Sequence, residues 1–266
     1  MHDRVVVITG ASAGIGAALA ENLGAKGARP VLVARREREL HEVASRSGPQ
    51  ALAVVGDVTK RADLTRVVEA ALGKFGAIDA WVNNAGRGIT RLVSELTDED
   101  LDEMYLVNVK SAVYGIQAVL PHFRERRRGH VVNVSSMLGR LPLAPFRSAY
   151  CASKHALNAI TASLRGELRG DFPEIHVSSV HPGIVATEFG TNARHGGFDS
   201  RQMPGAESAG DVAETIASVI AHPRADVYTR PGGHQQVAAY YSAKDMALAE
   251  LQFPALGRPP AGRPGT

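Results

Sequence analysis

The sequence is poor in the residues that build disulfide scaffolds and cysteine-rich metal sites. Its 266 residues include one cysteine, Cys151, and one tryptophan, and aromatic residues make up 5% of the chain. A single cysteine excludes an internal disulfide framework and a cysteine-rich metal centre. We therefore expect no bound metal.

Long apolar runs are also missing. No stretch reaches the roughly 18 apolar residues of a membrane-spanning helix. The first residues lack the charged and then apolar pattern of a secretory signal. These absences predict a cytoplasmic protein without a membrane partner.

A strong excess of one charge is absent as well. The chain has 30 Lys and Arg against 27 Asp and Glu, for a net charge of +3. The one dense basic run, "FRERRRGH" at residues 123–130, lies between a predicted helix and a predicted strand. Cations are favoured at a helix C-terminus. We therefore interpret this run as a solvated helix end and expect no nucleic-acid partner.

Apolar, β-branched runs alternate along the chain with amphipathic helical segments. The predicted strands are "RVVVITG", "PVLVARR", "ALAVVGDV", "IDAWVNNAG", "GHVVNVSS", "IHVSSVHPG" and "DVYTR". Such an alternation predicts an α/β fold, with a mostly parallel sheet covered by helices on both faces. Residues 1–256 are expected to form a single domain. The Gly- and Pro-rich residues 257–266 are expected to be disordered.

A glycine-rich turn follows the first predicted strand. In "TGASAGIG" the glycines are Gly10, Gly14 and Gly16, with Ser12 and Ile15 between them. Glycines here let backbone N–H groups approach a phosphate at the N-terminus of the following helix. The position between a strand and a helix favours dinucleotide binding over a plain tight turn.

A tyrosine and a lysine lie four residues apart in "SAYCASKHALNAI". Helical spacing would place Tyr150 and Lys154 on one face. A nearby cation favours the phenolate and lowers the tyrosine pKa from about 10. Such a tyrosine could act as a general acid or base. The pair alone also occurs by chance in many helices.

Taken together, these motifs resemble the short-chain dehydrogenase/reductase family. The other matching pieces are "GDVT", "NNAG" at residues 83–86, "LVNVKS", "VVNVSS" and "HPGIVATEF", in the family's order over roughly residues 4–190. The resemblance implies a Rossmann-like, doubly wound sheet and a homodimer or homotetramer. The end of the chain departs from the family pattern, because "GGHQQVAAYYSAKDMALAELQF" has the spacing of an amphipathic helix.

The resemblance also implies roles for four catalytic residues. Tyr150 would exchange the proton of the substrate oxygen, and Lys154 would lower the phenol pKa and bind the nicotinamide ribose. Asn108 would hold a water molecule that links Lys154 to solvent, or be an exposed helix residue. Ser136 would hydrogen-bond the substrate oxygen. We prefer Ser136 to Ser135 because neighbours alternate along a strand and because Gly139 follows Ser136 at the family's spacing, although the loop to Tyr150 is longer than usual.

The end of the second predicted strand bears on cofactor choice. NAD-binding chains of this fold place an acidic residue there, whereas this chain has Arg35 and Arg36. Guanidinium groups suit a 2′-phosphate, so NADP(H) is favoured and NAD(H) is possible. The alternative is that both arginines are ordinary surface residues.

The resemblance implies further cofactor contacts. Asp57 would border the adenine ring, Asn83 and Gly86 the adenosine ribose, and Thr187 the nicotinamide amide or the pyrophosphate. The remaining expected contacts are Val58, Asn84, Ala85, Pro182, Gly183 and Val185.

The substrate is the least defined part of the prediction. Apolar residues near the motifs would make a largely apolar pocket, although core packing explains some of them equally well: Met137, Leu138, Leu143, Phe146 and Phe189. Residues 188–210 are expected to form a lid. We expect an NADP(H)-dependent oxidoreductase that interconverts a ketone or aldehyde and an alcohol. The alternatives are a non-catalytic NADP-sensing regulator, an NAD-preferring alcohol dehydrogenase and a nucleotide-sugar epimerase or dehydratase.

Overall fold

The computed structural model describes residues 1–251, so the predicted disordered tail lies outside the described residues. Its strands are β1 (Val5–Thr9), β2 (Arg29–Ala34), β3 (Leu52–Val55), β4 (Ala80–Asn83), β5 (Gly129–Val134), β6 (Ile175–His181) and β7 (Asp226–Tyr228). They form one sheet in the order β3-β2-β1-β4-β5-β6-β7, and every neighbouring pair is parallel. The predicted doubly wound α/β fold is confirmed.

Helices connect the strands and cover the sheet. They are α1 (Gly14–Ala25), α2 (Glu37–Arg46), α3 (Arg61–Phe75), α4 (Asp98–Tyr105), α5 (Ser111–Arg126), α6 (Ser148–Leu168), α7 (Ala209–Ala221), α8 (Gly233–Tyr241) and α9 (Met246–Leu251). A π-helical turn, Leu106–Lys110, joins α4 to α5. Across residues 1–251, no helix has both the length and the apolar character needed to cross a membrane.

Alternation along each strand divides the core into two layers. In β1, Val6 and Ile8 pack in the layer that contains residues of α1, α2 and α7. Val5 and Val7 pack in the opposite layer, with residues of α3, α5 and α6. Because both sheet faces are buried, the strands need apolar side chains at nearly every position. This explains the near-continuous apolar runs of the sequence.

The strand order reverses direction between β1 and β4, and this places a crevice at their carboxyl ends. Polar side chains join the two loops there. Thr9 Oγ1 accepts the backbone N–H groups of Asn84 and Ala85, each at 3.0 Å. Asn84 Nδ2 donates to Thr9 O at 2.8 Å. The loops after β1 and β4 are therefore fixed to each other at the position where this fold binds ligands.

The C-terminal segment forms two short helices, α8 and α9, where the sequence predicted one amphipathic helix. Tyr240 and Ala249 from these helices pack on Leu141, and Met137 and Leu143 pack on the same cluster. The segment thus covers the loop that follows β5.

Candidate active site

A cavity of about 340 Å³ lies at the carboxyl edge of the sheet, bordered by the loops after β1, β4, β5 and β6. Most of the predicted site residues line it: Gly10, Ser12, Gly14, Ile15, Arg36, Asn84, Ala85, Gly86, Ser136, Tyr150, Lys154, Pro182, Gly183, Val185 and Thr187. The glycine turn and the Tyr150–Lys154 pair thus border one continuous space.

The glycine turn packs so closely on neighbouring backbone that Gly10 and Gly16 cannot carry side chains. Gly10 has φ +67, and a Cβ on it would lie 2.8 Å from Ala85 Cα. A Cβ on Gly16 would lie 2.5 Å from Gly10 O, so the turn can pack against α1 only without that side chain. The N-cap residue of α1 is Ala13, whose side chain makes no capping hydrogen bond. This surface fits the pyrophosphate of a dinucleotide.

Tyr150 and Lys154 lie on the buried face of α6, with 8% and 4% of their surfaces exposed. Lys154 Nζ donates to Val134 O at 2.8 Å and lies 5.8 Å from the centre of the Tyr150 ring. An ammonium group has three donors, so two remain for other partners. The pair has the i, i+4 geometry that the sequence predicted.

The pKa of Tyr150 does not follow the sequence-based expectation. Burial raises it to about 12, although a hydrogen bond with Ser136 opposes this shift. Burial also lowers the pKa of Lys154, to about 8. The groups that lower the Tyr150 pKa are Ser136 and Arg147 rather than Lys154, and removing the phenolate from water costs more free energy than these two groups return. Tyr150 is therefore fully protonated at neutral pH and suited to donate a proton.

The serine next to Tyr150 is Ser136. Its hydroxyl accepts the Leu138 N–H at 3.1 Å and hydrogen-bonds Tyr150. The Ser135 hydroxyl also lies at the cavity and is buried, but it makes no hydrogen bond within residues 1–251. The contact with Tyr150 supports the preference for Ser136.

Comparison with known proteins agrees with this arrangement. A family model described as short chain dehydrogenase matches residues 4–196. The chain belongs to this family. It is 35% identical over 265 residues to "Uncharacterized oxidoreductase YxnA" of Bacillus subtilis, which covers 96% of this chain and 70% of that protein. The resemblance inferred from the motifs is confirmed, and the protein is an oxidoreductase of this family.

Solved structures of the family show the same architecture. A short chain dehydrogenase/reductase of Burkholderia phymatum in complex with NAD gives a TM-score of 0.83 at 28% identity, covering 96% of this chain and 97% of that one. An alcohol dehydrogenase of Thermococcus sibiricus complexed with 5-hydroxy-NADP gives 0.73 at 27% identity, covering 85% and 96%. These complexes support a nicotinamide cofactor without distinguishing NAD from NADP.

Asn108 lies in the π-helical turn between α4 and α5 and is 1% exposed. Its Oδ1 accepts the Arg87 N–H at 2.8 Å, and its Nδ2 donates to Arg87 O at 2.9 Å and to Ser153 Oγ at 3.0 Å. The amide thus joins the loop after β4 to the residue before Lys154. The reading of Asn108 as an exposed helix residue is wrong, whereas its role in holding a water molecule stays a prediction.

Several expected cofactor residues lie away from the cavity wall. Asp57 Oδ1 accepts the N–H and hydroxyl of Thr59 at 3.0 and 2.8 Å, and Val58 packs on the core. Arg35 is exposed. Of the two arginines, Arg36 is the one that lines the cavity.

The expectation for Asn83 is wrong. It is the last residue of β4 and 6% exposed, and its amide accepts from Trp81 Nε1 and donates to Asn133 Oδ1, both at 2.8 Å. These bonds hold its side chain in the core, so the side chain does not line the cavity where a ribose would bind.

Some of the residues expected to contact the substrate lie at the cavity, and their role toward a substrate stays a prediction. Leu138, Phe146 and Phe189 line the cavity. Met137 and Leu143 instead pack on the cluster around Tyr240, because the loop after β5 turns them toward α8. Other lining residues were not among the predicted site residues, although Ile184 and Glu188 lie within "HPGIVATEF": Ala144, Arg147, Ile184, Glu188, Asn192, Phe198, Ser200 and Met203.

Part of the predicted lid, residues 188–210, covers the cavity and is tied to α4. Phe189 packs on Tyr150 with ring centres 5.5 Å apart. The fully buried carboxylate of Asp100 pairs with Arg194 at 2.5 Å and with His195 at 2.8 Å. Burial would raise the pKa of Asp100, but hydrogen bonds from His195, Thr97 and Arg194 hold it below its usual value. No sequence signal could have found these partners, which are 95 residues apart in the case of His195.

In the part of the chain that the structure describes, no group of three or more His, Cys, Asp or Glu side chains could hold a metal ion. Cys151 is buried, and burial raises the pKa of its thiol to about 12, so it is not a reactive nucleophile.

The lowered pKa of Lys154 predicts a pH-dependent stability. Between about pH 8 and its ordinary value of 10.5, the unfolded chain holds a proton on Lys154 that the folded chain has lost. Stability therefore rises with pH in this window. Relative to Lys154→Met, the wild type should gain about 1–2 kcal/mol of unfolding free energy between pH 7.5 and 9.5. Urea unfolding at both pH values measures this, and a constant difference would contradict the assigned burial effect.

Proposed function

We propose that the protein is an NADP(H)-dependent oxidoreductase that interconverts a ketone or aldehyde and an alcohol, with Tyr150 as general acid and base. The observation that carries this proposal is the hydrogen-bonded Ser136–Tyr150 pair at one cavity wall, with Lys154 behind it and the glycine turn at the other end. A bound nicotinamide would supply or accept the hydride, while the protein supplies position and proton transfer.

Different residues donate the proton, orient the carbonyl oxygen and stabilise the charge that forms. Tyr150 is protonated at neutral pH and can donate to a carbonyl oxygen that Ser136 orients. The phenolate left behind lies in a buried site, where the charge of Lys154 stabilises it. Phe189 covers the tyrosine ring and limits the entry of water.

The cavity also carries groups suited to the phosphates and ribose of a dinucleotide. The glycine turn would hold the pyrophosphate, and the two remaining donors of Lys154 would bind ribose hydroxyls. Arg36 would bind a 2′-phosphate: its Nε and Nη2 lie 3.3 and 3.2 Å from Ser12 Oγ in the glycine turn. Its ion pair with Glu39 is loose, at 3.7 Å, and solvent-exposed, so little free energy opposes exchange for a phosphate.

The predicted homo-oligomeric state, the cytoplasmic location and the mobility of the lid stay predictions. The exposed large apolar residues of the C-terminal helices, Tyr241, Leu248 and Leu251, are candidates for a subunit contact.

A panel of ketones, aldehydes and secondary alcohols, assayed with both cofactors by nicotinamide absorbance, tests the proposal. Turnover of carbonyl compounds with NADPH is expected. Cofactor binding without turnover of any compound would favour the non-catalytic sensor instead.

Ser136 and Ser135 form a matched pair for testing the proton-transfer site. Ser136→Ala removes the hydroxyl that contacts Tyr150, so turnover should fall by roughly 10²-fold. Ser135→Ala removes a hydroxyl that makes no hydrogen bond to the described residues, and it should change turnover by less than about threefold. Steady-state kinetics of both variants measure this. A larger loss for Ser135→Ala would mean that Ser135, rather than Ser136, faces the substrate.

Arg36 and Arg35 form the pair for cofactor preference. A hydrogen bond to a charged group contributes about 1.5–3 kcal/mol, which corresponds to a preference for NADPH of about 10- to 150-fold. Screening at the exposed rim favours the lower value. Arg36 lines the cavity whereas Arg35 does not, so Arg36→Ala should be the variant that loses the preference. Catalytic efficiencies with NADPH and NADH decide, and a wild-type ratio near or below one would refute the NADP assignment.

A further inference from the structure

Arg147 precedes α6 and places its guanidinium at the cavity wall. Nη1 donates to Ile89 O at 3.1 Å, and the group lies 5.7 Å from the centre of the Phe146 ring. Within residues 1–251, the guanidinium makes no other hydrogen bond and no ion pair. Its Nε and Nη2 donors therefore remain available.

No carboxylate among residues 1–251 pairs with the charge of Arg147. Burial lowers the pKa of Arg147, and the charged or ionisable groups that act on it are Tyr150 and Cys151. Glu188, the acidic residue at the cavity, is half exposed and lies 3.6 Å from Arg201. Desolvating a cation without an opposite charge costs free energy, so the fold bears a cost that a bound anion would offset.

The arginines near Arg147 differ from it in having carboxylate partners. Arg91 and Arg194 lie at the same edge of the sheet, and both pair with the buried carboxylate of Asp100. Arg87 pairs with Glu103. Arg147 thus lacks a carboxylate in a region where acidic side chains are present and committed to other cations.

The guanidinium lies on the Tyr150 side of the cavity. A Cβ built on Gly88 would lie 2.9 Å from Arg147 Nη1 and 3.1 Å from Phe189 Cε1, so the guanidinium and this ring are neighbours. Phe189 packs on Tyr150. On the lid side, a Cβ built on Gly197 would lie 2.9 Å from Arg147 Nη2. Arg147 thus lies between the loop after β4 and the lid, close to the reacting hydroxyl.

We infer that Arg147 binds a carboxylate of the substrate, so that the substrate class is an oxo acid and the corresponding hydroxy acid. This inference rests on the proposed function and replaces the expectation of a largely apolar substrate. The other cations of the wall are Arg36, which contacts Ser12 in the glycine turn, and Lys154, which donates to Val134 O and is assigned to the cofactor ribose. One guanidinium suits a singly charged carboxylate better than a phosphate dianion. Phe146, Phe198 and Met203 line the space for an apolar body.

Matched substrates test the inference. A 2-oxo acid and a 3-oxo acid with a phenyl side chain are each compared with their methyl esters, in wild type, Arg147→Met, Arg147→Lys and the control Arg128→Met. Arg128 is exposed and precedes the amino end of β5, at the opposite edge of the sheet. Wild type should prefer an acid over its ester.

Arg147→Met should lose about 10- to 150-fold in kcat/KM for the acid, mainly through KM, and little for the ester. Arg147→Lys should restore part of the loss, and Arg128→Met should match wild type.

Calorimetric binding of 3-phenylpropanoate, its amide and a phenylalkyl phosphate gives a second readout that needs no turnover. The carboxylate should bind to wild type and not to Arg147→Met, and the amide should bind weakly to both. Equal losses for acid and ester in Arg147→Met would show a merely structural role, and tighter binding of the phosphate would overturn the carboxylate assignment; both leave the proposed function intact. If no carbonyl compound is turned over, the proposed function fails, and the calorimetry alone decides the role of Arg147.

Discussion

The removal of Tyr150 and Lys154 from water is the constraint on which the site depends. In solvent the phenol and the ammonium would keep their ordinary pKa values; here burial moves both toward the uncharged form. The lysine can be buried because its Nζ donates a hydrogen bond to Val134 O. The tyrosine then remains a proton donor at neutral pH, and a positive charge lies nearby for the moment when it loses its proton.

Side-chain amides hold the backbone around this pair. Asn84 fixes the loop after β4 to the end of β1, and Asn108 fixes the same loop to α6. Asn83 and Asn133 join β4 to β5 within the core. An amide can donate and accept at once, so each joins two segments of backbone or side chain without adding charge. This explains why polar residues occur at the carboxyl ends of otherwise apolar strands.

Much of the fold and half of the site could be predicted from the sequence, because both depend on local patterns. Strand and helix periodicity predicted the sheet. The glycine turn and the Tyr150–Lys154 spacing predicted the two ends of the cavity. The errors occurred where a shift of one residue decides whether a side chain faces the core, the cavity or solvent. Asn83 points into the core, whereas Asn84 lines the cavity. Arg36 lines the cavity, whereas Arg35 does not. A linear sequence pattern does not reveal contacts between distant segments, such as that of Asp100 with His195. It also does not reveal that Arg147 has no carboxylate partner within residues 1–251.

The most direct test of the account is Tyr150→Phe, which removes one hydroxyl from a buried ring. If Tyr150 transfers the proton, kcat should fall by about 10²- to 10⁴-fold. The dissociation constant for NADPH, measured by calorimetry, should stay within about threefold of wild type, because the glycine turn, Arg36 and Lys154 are unchanged. Near-normal turnover in this variant would contradict the proton-transfer role on which the proposed mechanism is built.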